Sequence, residues 1–155
     1  MTKDLNFYID AFGHLTTNNK NGVPAPHKPI LLLSIINLIE AGIISNNQII
    51  LNEELKISFS CIWHQFVDTE HKYKCNIALP FYHMKSEPFW KLQPSCYYEE
   101  KSSYNTKDLQ SCFDYAIIDK ELFTLLQDAS NAVKLRVLLI TRYISQLYIA
   151  QIKTI

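Results

Sequence analysis

Apolar residues recur at helical spacing near the start of the chain, at Leu5, Tyr8, Ile9 and Phe12, and predict a short first helix that ends near Gly13. A polar loop, His14 to Gly22, separates it from the run Ile30-Leu31-Leu32-Leu33-Ser34-Ile35-Ile36-Asn37-Leu38-Ile39. That run predicts a central core helix from about Pro29 to Ala41, with Gly42 as its stop. Pro29 suits a first helical turn, where the missing N–H has no intrahelical partner to lose. Gln48 to Leu51 reads as a short strand, and Asn52 opens a helix carrying Phe59, Ile62, Trp63 and Phe66.

Beyond a basic and aromatic loop, Glu70-His71-Lys72-Tyr73-Lys74, the residues Ile77 to Met84 and Phe89 to Leu92 predict a small β-hairpin turning at Lys85-Ser86-Glu87-Pro88. The last third predicts short helices around Thr106 to Phe113 and Asp119 to Gln127. A long amphipathic helix from about Ser130 to Ile149 follows, carrying Val133, Val137, Ile140, Ile144 and Leu147. The order helix, helix, short strand, helix resembles winged-helix architecture. The expected class is therefore α+β, a helix-dominated single domain over residues 1–155 with a small β-hairpin and winged-helix-like elements.

With 155 residues and 48 % hydrophobic content the chain can fill a real core. Lys plus Arg equal Asp plus Glu at 15 each, so any affinity for nucleic acid has to come from a local patch. One candidate patch is visible, because no acidic residue occurs between His14 and Glu40, which leaves Lys20, Lys28 and two histidines without a local counter-charge. Cys61, Cys75, Cys96 and Cys112 form no C-x-x-C pair and are not spaced with histidines as metal ligands. A reduced, cytoplasmic protein with no metal and no cofactor is expected. The start of the chain lacks a signal-peptide apolar region, and the longest apolar run is too short to cross a bilayer, so no membrane association is expected.

Pro24-Ala25-Pro26-His27-Lys28-Pro29 carries the sharpest chemical signal. A histidine and a lysine at the positive end of a core helix, beside unpaired backbone donors, suit a phosphate group. The mixture His71-Lys72-Tyr73-Lys74 can line a DNA groove. Trp63 and Trp90 lie among Ile, Phe and Leu and read as core. Catalytic arrangements are poorer. The five histidines are dispersed rather than grouped as an HNH nuclease requires, and pairs such as Cys61 with His64 or Cys75 with His71 lack an orienting third group. Glu53-Glu54 and Glu99-Glu100 are adjacent and read as solvated faces.

Taken together, Pro26-His27-Lys28-Pro29-Ile30-Leu31-Leu32-Leu33, Leu79-Pro80-Phe81-Tyr82-His83-Met84 about fifty residues later, and Phe89-Trp90-Lys91-Leu92 resemble the sulfur-binding domain of phosphorothioate-dependent restriction endonucleases. The resemblance covers roughly residues 5 to 150. In that family, part of bacterial type IV restriction and defence, the domain commonly precedes a separate HNH nuclease domain. The resemblance implies a non-catalytic domain that binds phosphorothioate-modified duplex DNA, with an HNH nuclease domain or subunit as a further partner. Pro80 would be the floor of a small apolar sulfur pocket, Leu79 and Phe81 its neighbours and His83 the residue at the third position of the same turn. His27 and Lys28 would hold the phosphate's oxygen and the adjacent backbone, and the charge pattern adds Lys20, His71, Lys72 and Lys74 as candidate DNA contacts. Relative to the family pattern, Leu79 stands where tyrosine is usual, His83 where a small residue is usual and Lys28 where arginine is common.

This reading expects Lys20, Lys28, Lys72, Lys74 and Lys85 on one face, with Glu99, Glu100, Asp114 and Asp119 elsewhere. The alternative is a winged-helix-like protein interaction module whose apolar end, Leu147 to Ile155, docks a nuclease or another defence subunit.

Overall fold

A computed structural model describes residues 3–20, 22–67, 73–95 and 97–145. Its centre is the helix α2 (His27–Glu40), of whose 14 residues all but Asn37 and Glu40 are buried. The helix begins two residues earlier than its prolines predict, so His27 and Lys28 lie within its first turn rather than ahead of it. The first intrahelical bond runs from the Ile30 N–H to the Pro26 carbonyl at 3.0 Å. Gly42 takes φ +76 just past the helix end, a conformation that favours glycine.

Before α2 come α1 (Leu5–Gly13), capped by the Asp4 side chain on the Phe7 N–H, and a two-residue hairpin of β1 (Asn19–Lys20) and β2 (Val23–Pro24). After it come β3 (Gln48–Ile49) and α3 (Glu53–Phe66). The Asn52 carboxamide caps α3 as expected, accepting from the Leu55 N–H at 3.0 Å, and Glu53 and Glu54 complement the positive end of the helix. Leu55, Phe59, Ile62 and Trp63 form its buried face, a spacing of four, three and one that winds along one side of a helix.

The expected hairpin of residues 77–84 with 89–92 does not exist. Residues Ala78–His83 are a helix, α4, continued by a 3-10 turn over Met84–Ser86. Ala78, Phe81 and Tyr82 are buried at i, i+3 and i+4, a helical period in which Pro80 costs nothing because it stands in the first turn. The strand β4 (Trp90–Pro94) pairs instead with β5 (Phe113–Ile118), antiparallel, with Trp90 opposite Ile118 and Leu92 opposite Ala116. β5 is also paired with β3, and Ala116 faces Ile49 there, so the sheet order is β3-β5-β4. β5 escaped sequence reading because it follows α5 (Thr106–Cys112) directly, with no Gly or Pro at the boundary.

The order α2, β3, α3, α4, β4, β5 with a 1-3-2 sheet is that of a winged helix, with α5 inserted between β4 and β5 and with extensions by α1 at one end and by α6 (Lys120–Leu126) and α7 (Ala129–Leu139) at the other. The α+β, helix-dominated class thus holds. The helix α7 runs into a π-helical turn over Ile140–Ile144. Its buried positions are Ala132, Leu135, Leu139, Tyr143 and Ile144. Val133 and Val137, expected on the core stripe, are both 52 % exposed. Leu147 and the residues after it lie outside the described part of the chain. No helix among the described residues is long and apolar enough to cross a membrane.

Candidate nucleic-acid interface

Two stretches about fifty residues apart in sequence, the first turn of α2 and the side of α4 turned away from Ala78, Phe81 and Tyr82, meet across a cavity of about 600 Å³. From α2 come His27 and Lys28, and from α4 come Leu79, Pro80 and His83. Helix geometry explains the latter set: with Ala78, Phe81 and Tyr82 turned to the core, residues 79, 80 and 83 are left on the opposite side. Phe81, expected beside Pro80 in the site, is a core residue. Its ring meets Trp90 edge-on at 5.4 Å and its carbonyl accepts from the Trp90 indole N–H at 3.1 Å.

Part of the cavity lining is apolar. Ala25 and Pro80 are buried and Leu79 is half-buried, and all three line it. Thr16, Thr17 and Asn18 of the loop after α1 contribute a polar wall that the sequence did not reveal, as do Asn76 and Ser86, while Lys85, expected on this face, also lines it. Among the described residues that line it there is no carboxylate. Lys74, expected in the site, is exposed at its rim. For Lys20 the backbone alone is described, in β1, and His71 and Lys72 lie outside the described residues.

His27 is buried with its ring on the Trp63 ring, centroids 4.6 Å apart, and edge-on to Tyr73 at 6.0 Å. Its Nε2 lies 2.8 Å from the Lys74 carbonyl. A carbonyl can only accept, so Nε2 carries a proton and donates it there. His27 therefore ties the segment that bears Lys74 to the start of α2.

Lys28 is not uncompensated, as the absence of nearby acidic residues suggested. Its ammonium donates to Glu87 Oε2 at 2.6 Å and to Ser86 Oγ at 3.1 Å, and the Lys28 and Glu87 side chains are only 7 % and 4 % exposed. The same carboxylate oxygen accepts from the Thr16 N–H at 3.0 Å, which fixes the polar wall of the cavity. Two of the three ammonium donors are thus used, and the third has no acceptor among the described residues. A lysine inside a helix that is otherwise buried was itself the signal for such a counter-charge.

The expected separation of basic and acidic residues also fails at one point. Lys85 donates to Glu100 Oε2 at 2.6 Å and to the Tyr82 hydroxyl at 2.9 Å, with its ammonium 4.2 Å from the centre of the Tyr82 ring. Burial pulls the Lys85 ammonium down, but these hydrogen bonds outweigh it and leave its pKa raised. The Lys85 hydrogen bond in turn holds the Glu100 carboxyl below its usual range. His83 is shifted the other way: burial first, then the positive charges of Lys28 and Lys85, push its pKa below the ordinary 6.5. Its imidazole is thus neutral at pH 7, able to donate from one nitrogen and accept at the other.

No protein-family model matches the sequence, and no curated protein matches it. Among solved structures, the sulfur binding domain of ScoMcrA complexed with phosphorothioated DNA superposes with a TM-score of 0.69. The two are 17 % identical in sequence, over 90 % of this chain and 89 % of that one. A second structure, the sulfur binding domain and SRA domain of ScoMcrA complexed with phosphorothioated DNA, gives a TM-score of 0.67 at 17 % identity, over 88 % of this chain and 42 % of that one. The protein therefore has the fold of a sulfur-binding domain.

Proposed function

We propose that this chain binds duplex DNA in which a sulfur replaces a non-bridging phosphate oxygen, and that the cavity between α2 and α4 reads it. The observation that carries this reading is the meeting of an apolar floor, Leu79 and Pro80, with the buried Lys28 ammonium, in a chain that shares its fold with domains solved on phosphorothioated DNA. Sulfur and oxygen bear the same formal charge, so discrimination has to come from hydration. Sulfur is larger, softer and more weakly hydrated. The floor around Pro80 accepts it at little desolvation cost, whereas a strongly hydrated oxygen loses its water there without replacement.

The remaining donor of Lys28 takes a phosphate oxygen, the more strongly because the site is shielded from solvent. His27 acts by position, holding the segment of Lys74 against α2, and Lys74 contacts the neighbouring backbone. A few such contacts suffice for a chain of zero formal net charge, and each one adds roughly 0.9 to the slope of log affinity against log salt. The chain itself makes and breaks no bond in this reading. Cleavage belongs to a partner, an HNH nuclease domain or subunit.

The test is a binding titration against two duplexes that differ by a single phosphorothioate, at one fixed salt concentration. The expected result is a preference of about tenfold or more, equivalent to about 1.4 kcal/mol. Equal affinity for the two would overturn the sulfur reading, and no affinity for either would overturn DNA binding.

A further inference from the structure

Lys28, Lys74 and Lys85 line the cavity, and two of them already hold a carboxylate. The two pairs differ in kind. Lys28 and Glu87 are sealed from solvent, so their separation would strand two buried charges. Glu100 is 73 % exposed, and an ion pair open to water on one side is a weak one, so this pair can be exchanged for another anion.

Glu100 is nevertheless held in place. The backbone is pinned on both sides of it, by the Tyr82 hydroxyl donating to the Lys101 carbonyl at 2.9 Å and by the Tyr104 hydroxyl donating to the Glu99 carbonyl. The Tyr82 and Tyr104 rings pack at 4.9 Å. Its carboxylate oxygen stands 2.6 Å from the Lys85 ammonium, the distance and charge a phosphate oxygen would present there.

We propose that Glu100 is an internal competitor of the DNA backbone: it occupies Lys85 in the free protein and is displaced when a phosphate arrives. This rests on the DNA-binding reading given above. The exchange subtracts the same free energy from every duplex that reaches Lys85. Ordinary DNA, which gains nothing from the apolar floor, is thereby kept at low affinity, while modified DNA retains the contribution of its sulfur.

The experiment titrates the full chain and its Glu100→Gln, Glu99→Gln and Lys85→Gln/Glu100→Gln variants against the modified and unmodified duplexes at one salt concentration. Thermal melts establish that each variant is folded. Glu100→Gln is expected to bind both duplexes about fivefold tighter, with their ratio unchanged. Glu99→Gln makes the same change of charge one residue away and is expected to shift affinity less than about twofold, and the double variant is expected to lose the gain. An equal gain from Glu99→Gln and Glu100→Gln would reduce the effect to net charge and overturn the proposal, as would no gain from Glu100→Gln. The parent's own preference between the duplexes reports separately on sulfur reading. If it is absent while Glu100→Gln still gains, sulfur reading fails and the competitor stands. If neither protein binds either duplex, both fail.

Discussion

The Glu87 carboxylate lies 2.6 Å from the Lys28 ammonium across 59 residues of sequence, with both side chains almost wholly withdrawn from water. A buried pair of this kind adds little net stability over an apolar pair of the same volume, yet loss of one partner leaves a charge with nothing to balance it. Glu87→Gln should lower stability by about 3 kcal/mol in a urea unfolding experiment. Lys28→Met/Glu87→Leu should recover most of that loss and still bind both duplexes weakly, because the phosphate donor is gone. A Glu87→Gln protein that unfolds at the parent's urea midpoint would show that Lys28 is not held as a buried cation.

Pro80 offers a cleaner separation of recognition from folding. It is the third residue of α4, in the turn whose N–H groups have no intrahelical acceptor, so alanine there breaks no hydrogen bond. The Phe81 N–H keeps its bond to the Ile77 carbonyl at 3.1 Å. What Pro80→Ala removes is ring surface at the cavity floor, worth up to about 0.8 kcal/mol for each methylene the sulfur covers. The preference for the modified duplex should fall about fivefold, with affinity for the unmodified duplex unchanged. A parallel fall for both duplexes would place Pro80 in general backbone contact instead.

How far the sequence revealed this molecule depended on whether the deciding interactions were local. The start of α3 and the end of α2 were legible because a cap or a glycine coincides with the change of periodicity, at Asn52 and Gly42. The helix α4 was not, because a proline within an apolar run of eight residues is compatible with either a strand edge or a first helical turn. The choice between them was made by β5, which takes β4 as its neighbour and leaves residues 77–84 without a strand to pair with. The site shows the same division. His27 and Lys28 on one side and Leu79, Pro80 and His83 on the other could be named from motif, and they line one cavity. Glu87 and Glu100 could not, since an ion pair made across the fold leaves no periodic trace at either residue.

A direct check of the packing lies in α7. Leu135 is fully buried, whereas Val137, two residues on and predicted to face the core, is 52 % exposed. Leu135→Ala should cost about 2–5 kcal/mol, the range for a leucine removed from a packed core, and Val137→Ala should stay within about 0.5 kcal/mol of the parent. Urea midpoints with equal slopes would measure both. The reverse ranking would restore the stripe of Val133 and Val137 to the interior.

His83 should give folding and DNA binding opposite pH trends. Its ring is half-buried and feels the positive charges of Lys28 and Lys85, whose own partners are Glu87 and Glu100; burial first and these charges second outweigh a backbone hydrogen bond at Ser102, and its pKa in the folded chain lies below the ordinary 6.5. Between the folded value and 6.5 the unfolded chain binds a proton that the folded chain refuses, so stability rises with pH in that window. The contribution is complete above pH 6.5 and declines as pH falls below it. A bound phosphate adds negative charge beside the same ring and raises its pKa, so a duplex should bind more tightly as pH drops through the same range. His83→Asn should flatten both slopes, the urea midpoint between pH 5 and 6.5 and the affinity over the same interval. Should the variant flatten stability alone, His83 does not meet the phosphate. Should it flatten neither, burial and the two lysine charges do not hold the ring neutral.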